Sequence, residues 1–217
     1  MRKVFFGLLI CLLLVSISSA ETLMTAKPIG KGKYNVTLGA KLDQNYFDMG
    51  NIAPMFVDSI QYGVDEKLDV YALTGLGFSQ KATDRPRTMD ALTMFSAGVG
   101  AKYALSIENP NTRQISVAIN AGIKAGSVSK STMNNWQYSL GVVAGKRINN
   151  FTPYLGVDYR LIRQVYGDYF QVDYTVGTGI GPDNQRFIIE DTLQSITFAG
   201  ANFLSNQVAL CYSIGLN

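Results

Sequence analysis

The chain has 217 residues, with 19 Lys and Arg against 16 Asp and Glu, two Cys and no His. At 47% hydrophobic and 16% charged it is too apolar for a disordered chain, and its length fits one domain. The missing histidine excludes mechanisms that use an imidazole as base, proton shuttle or metal ligand.

Met1-Arg2-Lys3 opens the chain with positive charge, residues 4–17 are mostly apolar, and Ser18-Ser19-Ala20 supplies the small residues a signal peptidase reads. This predicts a cleaved secretory signal over residues 1–20 and one domain over 21–217. The alternative of an uncleaved anchor is disfavoured because the apolar stretch falls short of the ~20 residues a spanning helix needs. Cleavage removes Cys11, so Cys211 stands alone and no internal disulfide can staple the domain. Losing Arg2 and Lys3 leaves 17 basic against 16 acidic residues, a balance that gives no footprint for nucleic acid.

From residue 33 onward, large apolar residues alternate with small or polar ones at period two, the signature of strands with different surroundings on their two faces. Tyr34, Val36, Leu38 and Leu42 oppose Asn35, Thr37, Gly39 and Lys41. Phe95, Val99, Tyr103 and Leu105 oppose Ser96, Gly98, Gly100 and Lys102. Further on, Ile115, Val117, Ile119 and Ile123 oppose Asn120 and Lys124; Trp136, Tyr138, Leu140 and Val142 oppose Ser139 and Gly141; Phe151, Leu155, Val157 and Tyr159 oppose Asp158 and Arg160. The last run sets Val208, Leu210, Tyr212, Ile214 and Leu216 against Ala209, Cys211, Ser213 and Gly215.

The predicted strands are 33–42, 54–64, 67–78, 92–105, 112–124, 135–147, 151–162, 166–176, 192–203 and 206–217. That makes ten, or eight if residues 164–191 form a long excursion instead. Tight turns are expected at Asp65-Glu66-Lys67, Glu108-Asn109-Pro110-Asn111 and Asn149-Asn150, with longer polar links at 43–53, 79–90 and 125–134, residues 177–185 as a turn or loop, and Leu204-Ser205-Asn206 as the last link. Short turns on one side and longer loops on the other describe an all-β, up-and-down antiparallel transmembrane barrel.

The two faces decide where the barrel sits. If the bulky face pointed inward, the exterior would be a bare set of Gly, Ser, Ala and Asn, as in a soluble periplasmic lipid-binding barrel. If it points outward, only lipid makes an all-round apolar exterior tolerable, and the small residues fill a narrow lumen. Lys41, Lys102, Lys124, Asp158 and Arg160 then become lumen charges, and Tyr34, Phe78, Tyr103, Trp136 and Phe151 become interfacial girdle residues. Asp58 falls on the bulky side, near a strand end, beside a bulge, or against the assigned register.

The stretches Lys67-Leu-Asp-Val-Tyr-Ala-Leu-Thr-Gly-Leu-Gly77 and Thr152-Pro-Tyr-Leu-Gly-Val157, with the terminal strand, resemble the small outer-membrane β-barrel proteins of Gram-negative bacteria, broadly the opacity-type group. The resemblance implies the outer membrane as location, with its lipid and lipopolysaccharide, the barrel-assembly machinery and an unidentified surface ligand as partners. The chain departs from the group in ending Leu216-Asn217, without a terminal aromatic residue.

No chemistry is expected at a catalytic, cofactor or metal site. Outer-membrane hydrolases resemble one another in using a histidine, which this chain lacks. The acidic residues Asp43, Asp48, Asp183, Glu190 and Asp191 read as solvated loop charges rather than calcium ligands. Gly177-Thr-Gly-Ile-Gly181 and Gly141-Val-Val-Ala-Gly145-Lys146 match neither a dinucleotide nor a phosphate loop and read as strand and turn glycines. Lys81-Ala-Thr-Asp-Arg-Pro-Arg87 reads as a solvated loop before an anion-binding one. The expected function is a structural or surface-interaction role without catalysis, with a narrow, porin-like pore as the alternative.

Overall fold

A computed structural model describes residues 25–44, 52–82, 89–109, 112–128, 134–164, 167–198 and 200–216. The predicted signal at residues 1–20 and most of the loop at 81–87 lie outside the described residues.

Ten strands follow in order: β1 (Tyr34–Gln44), β2 (Ile52–Gly63), β3 (Leu68–Ala82), β4 (Met89–Ser106), β5 (Ser116–Val128), β6 (Asn134–Gly145), β7 (Phe151–Gln164), β8 (Gly167–Ile180), β9 (Gln185–Phe198) and β10 (Ala201–Leu216). Each pairs antiparallel with its neighbours, and β1 pairs β10 from Tyr34 opposite Leu216 to Gln44 opposite Asn206, so the barrel is closed.

Four expectations are corrected. Residues 177–180 continue β8, the turn is Gly181 to Asn184, and Leu204-Ser205-Asn206 lies inside β10 rather than between strands. The expected contrast between short turns and long polar links is also absent. Backbone pairing carries β3 and β4 to Ala82 and Met89, well into the stretch read as a loop, because a ladder between neighbours satisfies backbone groups whatever the side chains are.

Paired residues followed once round the barrel from Phe151 of β7 return to β7 at Arg163, a stagger of 12 residues (163 − 151). With ten strands, that stagger implies a tilt of about 40° and a backbone radius of about 10 Å. The outward face is apolar over Phe151, Leu155, Val157, Tyr159 and Leu161 in β7 and ends at Arg163, which pairs with Asp168 at 3.4 Å. Tyr34, Tyr103, Phe151 and Phe187 form an exposed aromatic belt near the termini, and Phe78, Phe95, Trp136 and Phe170 form another toward the opposite end. At that tilt the belts stand about 24 Å apart, which matches the ~25 Å apolar band of outer-membrane barrels.

Asp58 keeps its alternation without a bulge, so it does lie on the outward face. It is nevertheless buried, and accepts a hydrogen bond from the Thr74 hydroxyl on the neighbouring strand.

Leu140 is 60% exposed between the belts. Leu140→Arg is expected to destabilise the barrel by about 2–4 kcal/mol in a bilayer, measured by urea unfolding in lipid vesicles.

Candidate functional site

Every inward position follows from the same alternation, so the lumen is the one place where polar side chains from all ten strands converge. Lys41, Lys102, Lys124, Asp158 and Arg160 all lie there, each at most 4% exposed. Asp158 accepts from Asn120 Nδ2 at 2.7 Å, while Arg160 pairs with Asp173 at 2.7 Å and Gln171 also donates to Asp173 at 2.6 Å. Lys102 pairs with Asp69 at 3.1 Å.

Glu190 and Asp191 are not loop residues. They sit in β9, where Glu190 enters the lumen and accepts from the Tyr154 hydroxyl at 2.8 Å, and Asp191 points outward. Asp183 is in the β8–β9 turn, in a cluster of ion pairs, and the side chains of Asp43 and Asp48 lie outside the described residues.

Glycines make room for the larger inward groups. A Cβ on Gly141 would meet the Asp158 carboxylate, and one on Gly177 would meet the Tyr154 ring. The glycines of both clusters are thus strand and turn residues, with Gly181 at φ +126° turning out of β8.

At the termini end, residues 25–33 form a strap across the mouth of the lumen. Gly30 and Gly32, at φ +93° and +74°, turn the chain back from β1, and Gly32 N–H donates to Gly63 O at 2.8 Å. Ala26 is buried with Val57, Ala118, Val143, Tyr154, Ile188, Ala209 and Cys211. The Lys102 ammonium donates to the carbonyls of Thr25 and Lys27, both at 3.0 Å, and the Ile29 N–H donates to Asp69 at 3.3 Å. Lys27 pairs with Asp183 at 2.9 Å and Glu108 at 3.2 Å, joining the strap to two turns, while Arg147 and Arg186 also pair with Asp183. A cleft of about 330 Å³ remains beside the strap, lined by Lys27, Lys33, Asn35, Asp183, Arg186 and Ser213 among others.

Sequence reasoning passed over Asp69, Asp173 and Arg186, although period two places them on the small-residue face of their strands. It passed over the strap entirely, whose only local signal is the pair Gly30 and Gly32 before the first strand.

No protein-family model matches the chain, and no curated protein matches it. Among solved structures it is similar to the beta domain of the Bordetella autotransporter BrkA, at TM-score 0.58 and 11% identity, covering 86% of this chain and all of that domain. The translocator domain of the autotransporter NalP from Neisseria meningitidis gives TM-score 0.50 and 12% identity over 87% of this chain and 89% of that one. This is the fold of bacterial outer-membrane barrels. A bacterial polysaccharide outer-membrane secretin is similar at TM-score 0.47 and 8% identity, over 84% of this chain, which spans 66% of that structure's length.

Two predictions follow from the strap and its anchor. Lys102→Met leaves a buried carboxylate without its cation and is expected to cost about 3–5 kcal/mol, whereas Lys102→Met with Asp69→Leu recovers much of that loss in the same unfolding assay. Burial pushes the Asp183 carboxyl up, but Lys27, Arg186 and Arg147 hold it net below its ordinary 3.8. A carboxyl depressed by folding contributes stability above its unfolded value and loses that contribution as pH falls through the folded one. The Asp183 contribution is therefore expected to persist at neutral pH and fade only below about pH 4, read from amide hydrogen exchange at Ala26.

Proposed function

We propose that the protein is an integral outer-membrane barrel with a closed lumen, serving a structural or surface-interaction role without catalysis. The observation that carries this reading is the burial of the lumen charges together with their partners. A water-filled passage would leave Lys41, Lys124, Asp158 and Arg160 accessible from within, whereas each is at most 4% exposed. In a barrel of about 10 Å radius, long inward side chains leave little of the interior unfilled.

The apolar exterior supports residence among outer-membrane lipid and lipopolysaccharide, and the period-two terminal strand suits recognition by the barrel-assembly machinery. The β3–β4 ladder supports the surface role, since its pairing continues from Phe78 and Thr93 to Ala82 and Met89. Those residues carry a ribbon about 10 Å beyond the aromatic belt, a platform for an unidentified surface ligand.

A narrow, porin-like pore is the second reading, favoured by one observation: the mouth near the termini is crossed by a strap rather than by strands. The two readings separate in planar bilayers. The closed reading expects an outer-membrane band whose gel mobility changes on boiling, and no unitary conductance from the intact protein. It also expects none after deletion of residues 25–29, because the Arg160–Asp173 and Asn120–Asp158 pairs still fill the lumen. Stepwise conductance from either protein would establish the pore instead, and a soluble periplasmic protein would overturn both.

A further inference from the structure

Between the aromatic belts, the outward positions of all ten strands hold two charged side chains among the described residues, Asp58 and Asp191. The stagger raises the level by about 3 Å at each step to the next strand. By that geometry both carboxylates lie within about 1 Å of one level, near the middle of the ~24 Å between the belts. A carboxylate at that depth is costly unless it is satisfied.

Asp58 is satisfied within the chain, being buried and bonded to Thr74. Asp191 is exposed, paired in the ladder with Val208 and Val176, and has no hydrogen-bond or ion-pair partner among the described residues. Tyr174, on the neighbouring strand β8, is 50% exposed and its hydroxyl likewise has no partner among the described residues. It lies about 2 Å above the level of Asp191.

Symmetry relates these two orphans. A two-fold axis along the membrane normal preserves depth, and with the contact centred between β8 and β9, β9 of one copy faces β8 of the other. Each Asp191 then meets the Tyr174 of the second copy, in the reciprocal manner a two-fold interface requires. The curvature of the barrel keeps both residues close to the line of contact, since they are diagonal neighbours and each stands only about 4 Å from it. No outward cation between the belts offers Asp191 an ion pair with another copy in any other arrangement among the described residues.

We propose that the β8–β9 face is a dimer interface within the membrane, its two Tyr174 hydroxyls donating to the Asp191 carboxylates of the opposite copies. Val176 and Leu193, the ladder partners of Asp191 and Tyr174, flank the hydrogen bonds with apolar contact and keep them dry. The inference rests on the barrel's lying in a bilayer, and not on whether its lumen is closed.

The test uses the full protein in outer membranes with Cys211→Ala as background. Val176→Cys places a thiol on the proposed face, and Val99→Cys places one at nearly the same depth on the opposite side of the barrel. A short bismaleimide is expected to give a band of twice the mass from Val176→Cys and not from Val99→Cys. Adding Tyr174→Phe or Asp191→Leu is expected to lower dimerisation roughly tenfold, while heat-modifiable mobility shows that each variant still folds. Equal cross-linking at both positions, an adduct of another mass, or a dimer unmoved by both substitutions would overturn the proposal. A heat-modifiable, membrane-bound protein that stays monomeric would overturn the dimer alone, whereas a soluble protein would remove the bilayer reading beneath it.

Discussion

Every backbone N–H and C=O that lies in hydrocarbon must find a partner within the chain, since nothing in the bilayer interior can take the place of water. Ten strands in a row would still leave two open edges. The pairing of β1 with β10 over the full length of β1 removes both, and the rest of the structure depends on that closure. Once the sheet is closed, its strand number and stagger set the radius, and the radius sets how much the interior can hold.

That volume limit explains the uneven distribution of residue size. An interior enclosed by a backbone of about 10 Å radius cannot take a large side chain from every inward position, so large and small residues sit side by side on neighbouring strands. Tyr154 lies where Gly177 offers no Cβ, Tyr71 lies against Gly100, and Asp158 lies against Gly141. Packing this tight excludes water, and excluded water obliges the charges to pair: Lys102 with Asp69, Arg160 with Asp173, and Tyr154 with Glu190. The pairing of inward charges is thus a consequence of barrel size rather than a separate device.

The same physics decides what could be read in advance. Period-two alternation is a local property, so the strands, their two faces and the inward placement of Lys41, Lys102, Lys124, Asp158 and Arg160 were legible. Strand ends were harder, because Ser205 and Asn206 have the composition of a turn, yet one faces the lumen and the other the exterior of a continuous strand. Glu190 and Asp191 look like a solvated acidic pair for a related reason. Adjacent residues in a strand belong to different environments, and an acidic dipeptide does not say that one member meets Tyr154 while the other lies on the outward face. The strap has no period at all, and its contacts with Asp69, Lys102 and Asp183 join residues far apart in the chain, which sequence spacing cannot reveal.

Those distant contacts bear on the weakest step in making a barrel. The seam joins Tyr34 to Leu216, nearly the whole described chain apart, so its ladder carries the largest loop-closure cost of any strand pair. The strap enters the mouth directly before β1 and binds the β8–β9 turn through Lys27 and Asp183, and Gly215 N–H near the end of β10 donates to Asn184 O in that same turn at 2.8 Å. The strap before β1 and the end of β10 are therefore fastened to one turn. The Lys27 ion pair sits at the wet end of the barrel, where such a pair is worth little alone, but Lys102, buried between the carbonyls of Thr25 and Lys27, and Ala26, packed among Val57, Tyr154 and Ile188, fix the strap from within. These contacts hold β1 beside β10 without adding bulk to the seam, and they do so at the end of the lumen where the last strand must find the first.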